Sequence, residues 1–327
     1  MQNEYKEWQN DAITLAKTGV PSWRQIAKLL KMPRSTVSDF LREYFKMKEE
    51  AANEEVVQSI TTPKQEKGVT HLVIPDSQVR PGIKLDFLHW IGMYIVRKRP
   101  DVIVHLGDFG DMESLSSYDK GKRSAEGKRI QADIECTKEA IKILLAPLKA
   151  LQAKQKAAGE SVYNPRKIIL YGNHEDRISR HVDANPEMYG FLNLESLGYE
   201  EAGWETVPFL TPIEIDGVNY CHYFPNVMTG KAMTGTAQNM LKTIGKSFTM
   251  GHRQTLDVTT RFLPTDGSQQ WGLIAGAGYP HDEHYKGVQG NKHWRGIILK
   301  HNVRNGSYDP LFISLDWLER EYGGTND

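Results

Sequence analysis

The sequence predicts an α/β fold with two sheets flanked by helices, preceded by a small three-helix domain. Three patterns carry that prediction. Strand-like runs alternate with helical ones from Val69 onward, the pattern turns to strands after residue 255, and the first 46 residues repeat their apolar positions at helical spacing.

At the N-terminus, EYKEWQNDAITLAKT reads as a helix ending at Gly19, a C-terminal cap. SWRQIAKLL follows with Ser22 as N-cap, and RSTVSDFLREYF begins after the KMP turn. Ile26, Leu29 and Leu30, then Val37, Phe40, Leu41 and Tyr44, recur on helical faces. Three short helices with a brief middle turn match the helix-turn-helix plan, which bounds a first domain at residues 1–46. Residues 47–68 are charged, poor in aromatics and carry Pro63 near their end, so they read as a charged linker, part helical.

Residues 69–327 form the main domain. Its predicted strands are THLVIP (70–75), DVIVHL (101–106), KIILY (167–171), VNYCHY (218–223) and SFTM (247–250). Helices are predicted over LDFLHWIGMYIVRK, over a long segment around 130–156, and from near Glu175. TLDVTTRF, QQWGLIAGAG, RGIILKHNV and PLFISL then read as strands, the last two joined by a hairpin turn at Asn305-Gly306. The expectation is a mixed sheet from the first five strands, with the strands after residue 255 packing as a second sheet.

Composition excludes several classes. A hydrophobic fraction of 39% and a charged fraction of 25% over 327 residues describe an ordinary globular chain rather than a disordered one. Net charge is zero, so attraction to nucleic acid must be local. Cys136 and Cys221 cannot build a disulfide framework. MQNEYKEWQND lacks the apolar core of a signal peptide, and no stretch reaches the roughly 20 apolar residues of a membrane span. A cytoplasmic protein is expected, with no membrane partner.

Each of the first five strands ends in metal-binding groups: Asp76 and Gln78; Asp108 and Asp111 in LGDFGD; Asn173 and His174 in YGNHEDR; His222; and His252 and Gln254 in GHRQ. Ligands collect at the carboxyl ends of strands in open α/β sheets. Glycines at 107, 172 and 251 let the chain turn so that these side chains converge. Singly, each group reads as a turn residue, a helix cap or a buried histidine. Their joint occurrence, in order, is what a structural explanation covers badly.

These five blocks resemble the calcineurin-like metallophosphoesterases, whose pattern is DxH, GDxxD, GNH followed by an acid, a histidine after a strand, and GHxH. The resemblance covers about residues 69 to 315. It implies a two-sheet metallophosphoesterase sandwich and two divalent ions bridged by Asp108. One ion would take Asp108, Asn173, His222 and His252. The other would take Asp76 and Asp108, with Gln78 and Gln254 standing where the family has histidines. Amide oxygens are harder, weaker ligands than imidazole, which favours Mn2+, with Mg2+ or Fe2+ as alternatives, over Zn2+. By the same resemblance the two ions polarise the phosphoryl group and activate water. His174 protonates the leaving oxygen, and Asp111 orients it.

Substrate contacts are expected from Arg177 and Arg180 after GNHE. Further contacts are expected from Lys122 and Arg123 in the basic segment YDKGKRSAEGKRIQ, where Lys120, Lys128 and Arg129 also lie. Met112 occupies the position of an arginine found in protein Ser/Thr phosphatases, which argues against that substrate class. Outside the blocks, His105 reads as a buried strand residue, and His281 with His284 as a surface pair.

Residues 22–48 hold seven Lys/Arg against two acids, a local basic patch of the kind that touches DNA. RQIAKLLKMPRSTVSDFL resembles helix-turn-helix segments of recombinases and repressors. That places Arg34, Ser35, Thr36 and Ser38, with Arg42, on the exposed start of a recognition helix, and Val37 and Leu41 inward. The leading expectation is a DNA-tethered, nuclease-like phosphodiesterase, a pairing that suits a phage or mobile element. Its rivals are a phosphomonoesterase or small-nucleotide phosphodiesterase, and a catalytically weakened DNA-binding regulator.

Overall fold

The computed structural model describes residues 5–20, 22–61, 68–283 and 286–324, the side chains of 49–61 excepted. The chain divides into two compact units, Met1–Glu66 and Lys67–Asp327. No helix among the described residues is long and apolar enough to cross a membrane.

The first unit is α1 (Glu7–Lys17), α2 (Trp23–Leu29) and α3 (Arg34–Thr61). Thr18 caps α1, and Gly19 follows it at φ 88°, the left-handed position that glycine occupies without strain. Ser22 caps α2, its side chain accepting the N–H of Gln25. Ala12, Ile13, Ile26, Ala27, Val37, Leu41 and Tyr44 form the buried core. α3 runs past residue 46 to Thr61 without a break, so the segment expected to be part helical is helical as far as Thr61. Residues 47–61 contain neither Gly nor Pro and are rich in Glu, Ala, Lys, Met and Gln, strong helix formers. The rest of the expected linker, 62–67, lies outside the described residues.

The second unit is mixed α/β with two sheets. In chain order it comprises β1 (Val69–Ile74), α4 (Asp86–Lys98), β2 (Val102–His105), α5 (Ile130–Ala157), β3 (Arg166–Leu170), α6 (Asp176–Ala184), β4 (Glu205–Val207), β5 (Ile213–Ile215), β6 (Val218–Cys221), α7 (Ala237–Ile244) and β7 (Phe248–Met250). β8 (Leu256–Phe262), β9 (Gln269–Ala275), the single turn α8 (Gly287–Gly290), β10 (Gly296–Arg304), β11 (Ser307–Ser314) and α9 (Leu315–Tyr322) complete it. The first sheet has the order β11-β10-β1-β2-β3-β4, the second β5-β6-β7-β9-β8. β1 to β4 pair in parallel, as do β6, β7 and β9.

Successive residues of β1 face opposite ways. Leu72 and Ile74 pack with α4 and α5, while Val73 joins Val104, Ile168, Tyr220 and Leu273 between the sheets. The far side of the second sheet is closed by Met240 and Leu241 of α7 against Phe248, Met250 and Ile274.

The expected sheet assignment is corrected in two places. β6 and β7, read as members of the first sheet, belong to the second, and the β10–β11 hairpin returns to the first sheet beside β1. In β10, Ile297 and Leu299 face the helices while Ile298 faces the other sheet. A strand apolar on both faces needs a covered, interior place, which the position next to β1 supplies. Asn305 and Gly306, at φ 51° and 83°, make the predicted hairpin turn. Three-residue strands such as β4 and β5 are too short for a sequence period to show. α7 and α9 are not among the predicted helices, although Thr236 and Ser314 cap them by accepting N–H groups three residues on.

Candidate metal centre and adjoining cleft

The parallel strands β1, β2 and β3 of one sheet and β6 and β7 of the other end at one place, and each exit delivers a polar side chain there. The backbone bends sharply to do so. Gln78, Asp108, His252 and Gln254 all take positive φ, between 43° and 64°, a conformation that costs roughly 1 kcal/mol or more for a residue with a Cβ. Such strain persists only where the surroundings enforce it.

Four predicted ligands converge. Asn173 Oδ1 lies 3.0 Å from His222 Nε2 and 2.7 Å from His252 Nδ1. Asp108 Oδ2 is 3.4 Å from His222 Nε2, and Asp108, His222 and His252 each offer a ligating atom within 4.8 Å of the other two. His222 Nδ1 sits 2.9 Å from the Leu106 carbonyl; the tautomer assigned from that bond donates there and leaves the Nε2 lone pair facing Asn173 and Asp108. Acceptors facing acceptors is an arrangement that a cation or a proton must complete. Without an ion, charge balance falls to protons. Burial disfavours charge on the His222 ring, but Asp108 beside it lifts its pKa to about 9. Burial pushes Asp76 up to about 7 and His252 down to about 4. The donor set fits one divalent ion.

Behind Asp108 stands Glu175, the acid after GNH, whose role the sequence did not disclose. Fully buried, it accepts the backbone N–H groups of Asp108 (3.0 Å), Phe109 (2.7 Å), Gly110 (3.2 Å) and Gly172 (2.9 Å), and the Tyr199 hydroxyl (3.0 Å). One carboxylate thus pins the β2 and β3 exits together. The close approach requires glycine: a Cβ on Gly172 would stand 2.1 Å from Asp108 Oδ1.

The second predicted ligand set is assembled differently. Asp76 Oδ1 accepts the His252 N–H at 3.0 Å, while its Oδ2 and both polar atoms of Gln78 are buried without a partner. Gln254 Oε1 is already taken, accepting from the Tyr279 hydroxyl (2.6 Å) and from Lys286 Nζ.

His174 Nδ1 lies 2.8 Å from Asp111 Oδ1, and its Nε2 is 3.7 Å from Asp108 Oδ2. Burial works against charge on this ring, but the two carboxylates raise its pKa above the ordinary value. Asp111 goes the other way, held well below the usual carboxylate range against its burial by His174, Arg177 and Arg80.

His174 and Asp111 open onto a cleft of about 880 Å³ lined also by Arg80, Tyr118, Lys128, Arg177 and Glu283. Arg80, which sequence reading passed over, bridges Asp111 (2.8 Å) and Glu283 (2.7 Å) through Nη1. Its signal was a lone arginine two residues past Gln78. Arg177 reaches the cleft but spends Nη1 on the Asp111 carbonyl (2.7 Å) and carboxylate (3.2 Å). Arg180 pairs with Asp176 (3.0 Å) and donates to the Asn173 carbonyl (2.8 Å). Lys122 Nζ lies 3.6 Å over the exposed Tyr118 ring, and Arg123 is exposed in the next short turn. His281 is no surface residue: it stacks on Tyr279 with ring centroids 4.4 Å apart and meets Glu283 at 3.0 Å. Its expected companion His284 lies outside the described residues. His105 is buried as expected, 2.9 Å from Ser77 Oγ.

In the first unit, Arg34, Ser35, Thr36 and Arg42 are exposed, Ser38 is half-buried, and Val37 and Leu41 are fully buried.

No protein-family model matches the chain. It is similar to two phage proteins, both called Gene 54 protein. The one from Mycobacterium phage L5 is 24% identical over 207 residues, and the one from Mycobacterium phage D29 is 24% identical over 212 residues. Each alignment covers 63% of this chain and 77% of the relative. Among solved structures, one aligns over 75% of this chain and 98% of its own at 12% identity, with a TM-score of 0.29.

Proposed function

We propose that this chain is a metal-dependent phosphoesterase of the calcineurin-like kind, cutting phosphodiester bonds in DNA. The observation that carries the reading is the meeting of Asp108, Asn173, His222 and His252 beside the His174–Asp111 pair. Those four side chains would hold a divalent ion, Mn2+ by preference. When bound, it would neutralise charge developing on the phosphoryl group. His174 stands next to that position, 2.8 Å from Asp111 and 3.7 Å from Asp108, placed to protonate the departing oxygen. Glu175 keeps Asp108 in place, and His174, Arg177 and Arg80 together keep Asp111 charged, with Arg80 helping to orient it.

Two features support a phosphodiester over a small phosphomonoester. The cleft beside His174 has room for a leaving group of nucleotide size. The exposed face of the first unit presents Arg34, Thr36 and Arg42 in the manner of a DNA-reading helix. Relatives encoded by phages accord with such a role. A panel assay with Mn2+ tests the reading, using plasmid, labelled oligonucleotides, a bis-aryl phosphodiester and an aryl phosphomonoester. Oligonucleotide hydrolysis is the expected result. Turnover of the monoester alone makes the protein a phosphomonoesterase. Inactivity on all four leaves a DNA-binding regulator, a reading favoured by the closed lone pairs of Gln254.

A further inference from the structure

We propose that Lys286 supplies, as an ammonium held on Gln254 past the exit of β7, the positive charge that a second divalent ion would bring, making the centre mononuclear. The inference rests on the phosphoesterase reading and names the cations of its site.

The argument begins with Gln254. An amide oxygen has two lone pairs, and here one receives the Tyr279 hydroxyl and the other Lys286 Nζ. Neither remains for a metal. Lys286 Nζ also lies 3.3 Å from the Tyr279 hydroxyl, so the ammonium is held from two sides on a half-buried stem. Burial lowers its pKa, and the Glu283 carboxylate, then that of Asp76, lie near enough to oppose that shift.

The set without Gln254 is poor. Asp76 offers Oδ2, Gln78 offers a weak amide oxygen, and Asp108 must serve the other ion as well. A divalent ion entering here would also meet the ammonium at close range. The unpartnered Asp76 Oδ2 and Gln78 Oε1 still call for positive charge, and Lys286 is one source within the chain beside His222. A lysine ammonium binds phosphate as a point charge, so it can do part of what the missing ion would do.

The experiment measures Mn2+ per chain by elemental analysis after equilibrium dialysis, and affinity for inorganic phosphate in Mn2+. The full-length protein is compared with Lys286→Met and Lys286→Arg. One ion per wild-type chain is expected, with phosphate binding at least tenfold weaker in Lys286→Met and largely restored in Lys286→Arg. Two ions in the wild type, or unchanged phosphate affinity in Lys286→Met, would overturn the proposal while leaving the phosphoesterase reading intact. No ion in any of the three proteins overturns both. Thermal melts of each variant establish that the fold is kept.

Discussion

Glu175 holds Asp108 from behind: its Oε2 accepts the Asp108 N–H at 3.0 Å, while Asp108 turns its own carboxylate toward His222 and the backbone of His174. The carboxylate that faces the proposed ion is therefore positioned by one that never touches it.

Glu175→Gln tests that arrangement. Glutamine puts an NH2 where the glutamate turns an oxygen toward backbone N–H groups, leaving at least one buried donor unpaired. The expected cost is about 1–3 kcal/mol of stability, read as a lower urea midpoint at unchanged m-value. Mn2+ affinity should fall as well, since Asp108 loses its backing. A variant as stable as the wild type would show that the five hydrogen bonds are dispensable.

His174 and Asp108 should separate chemistry from metal binding. His174→Ala keeps the backbone N–H that Asp108 Oδ1 accepts, so the ligand set stays in place. Its bound Mn2+ should be unchanged while turnover falls by roughly 10²–10⁴-fold. Asp108→Ala should lose the ion itself. Elemental analysis beside steady-state kinetics distinguishes the two, and a fully active His174→Ala would remove the proton-donor role.

Stability should also depend on acid through His71, away from the metal centre. This ring is enclosed by the Tyr220 hydroxyl and Asp216, each at 2.8 Å, and burial followed by the neighbouring Lys300 lowers its pKa from 6.5 to about 4. The unfolded chain thus binds the extra proton between those values. The contribution is fully present above pH 6.5 and is lost as pH falls toward 4. Its size is on the order of 3 kcal/mol. The difference in unfolding free energy between wild type and His71→Gln, measured from pH 7 to 4, should narrow by that order. A constant difference would mean the histidine titrates alike in both states.

Binding of duplex DNA by the full chain should weaken with salt, because phosphate contacts release counterions. Arg42 is exposed and only loosely paired with Asp39 at 3.5 Å, so it is available to a phosphate. Arg42→Ala should reduce the slope of log K against log salt by roughly 0.9. A slope indifferent to this change would remove Arg42 from the interface.

Much of the candidate site was legible because chemistry concentrates at strand exits: Asp76, Asp108, Asn173, His222 and His252 announced themselves by type and order, and Asp108, Asn173 and His252 also by a preceding glycine. What stayed hidden depends on contacts between segments distant in sequence. Arg80 and Glu283 are 203 residues apart and meet only after folding, and Gln254 finds Lys286 32 residues on. The sheet assignment failed for a related reason. Whether a short apolar run such as GIIL pairs beside β1 or in the other sheet is decided by which faces other elements cover, and local periodicity does not record that.

Gly172 and Gly251 give the finest test of which ligands matter. Neither takes the left-handed φ that favours glycine, so alanine would act chiefly through its methyl group. At 172 that Cβ would stand 2.1 Å from Asp108 Oδ1 and 2.4 Å from its backbone nitrogen; at 251 it would stand 2.3 Å from Asp76 Oδ1. In each case the carboxylate or the backbone that carries the new methyl must shift. Asp108 is fixed by Glu175 and by the His174 N–H, so displacing it sacrifices bonds as well as position. Gly172→Ala should therefore weaken Mn2+ binding by about 10–100-fold. If the ion sits among Asp108, Asn173, His222 and His252 alone, Gly251→Ala should weaken it several-fold less, because Asp76 belongs to the half of the site that Lys286 serves. Titration calorimetry of the two variants with Mn2+ reads the contrast directly, and equal losses would mean that Asp76 acts on the ion, either as a ligand or through the His252 N–H that it accepts.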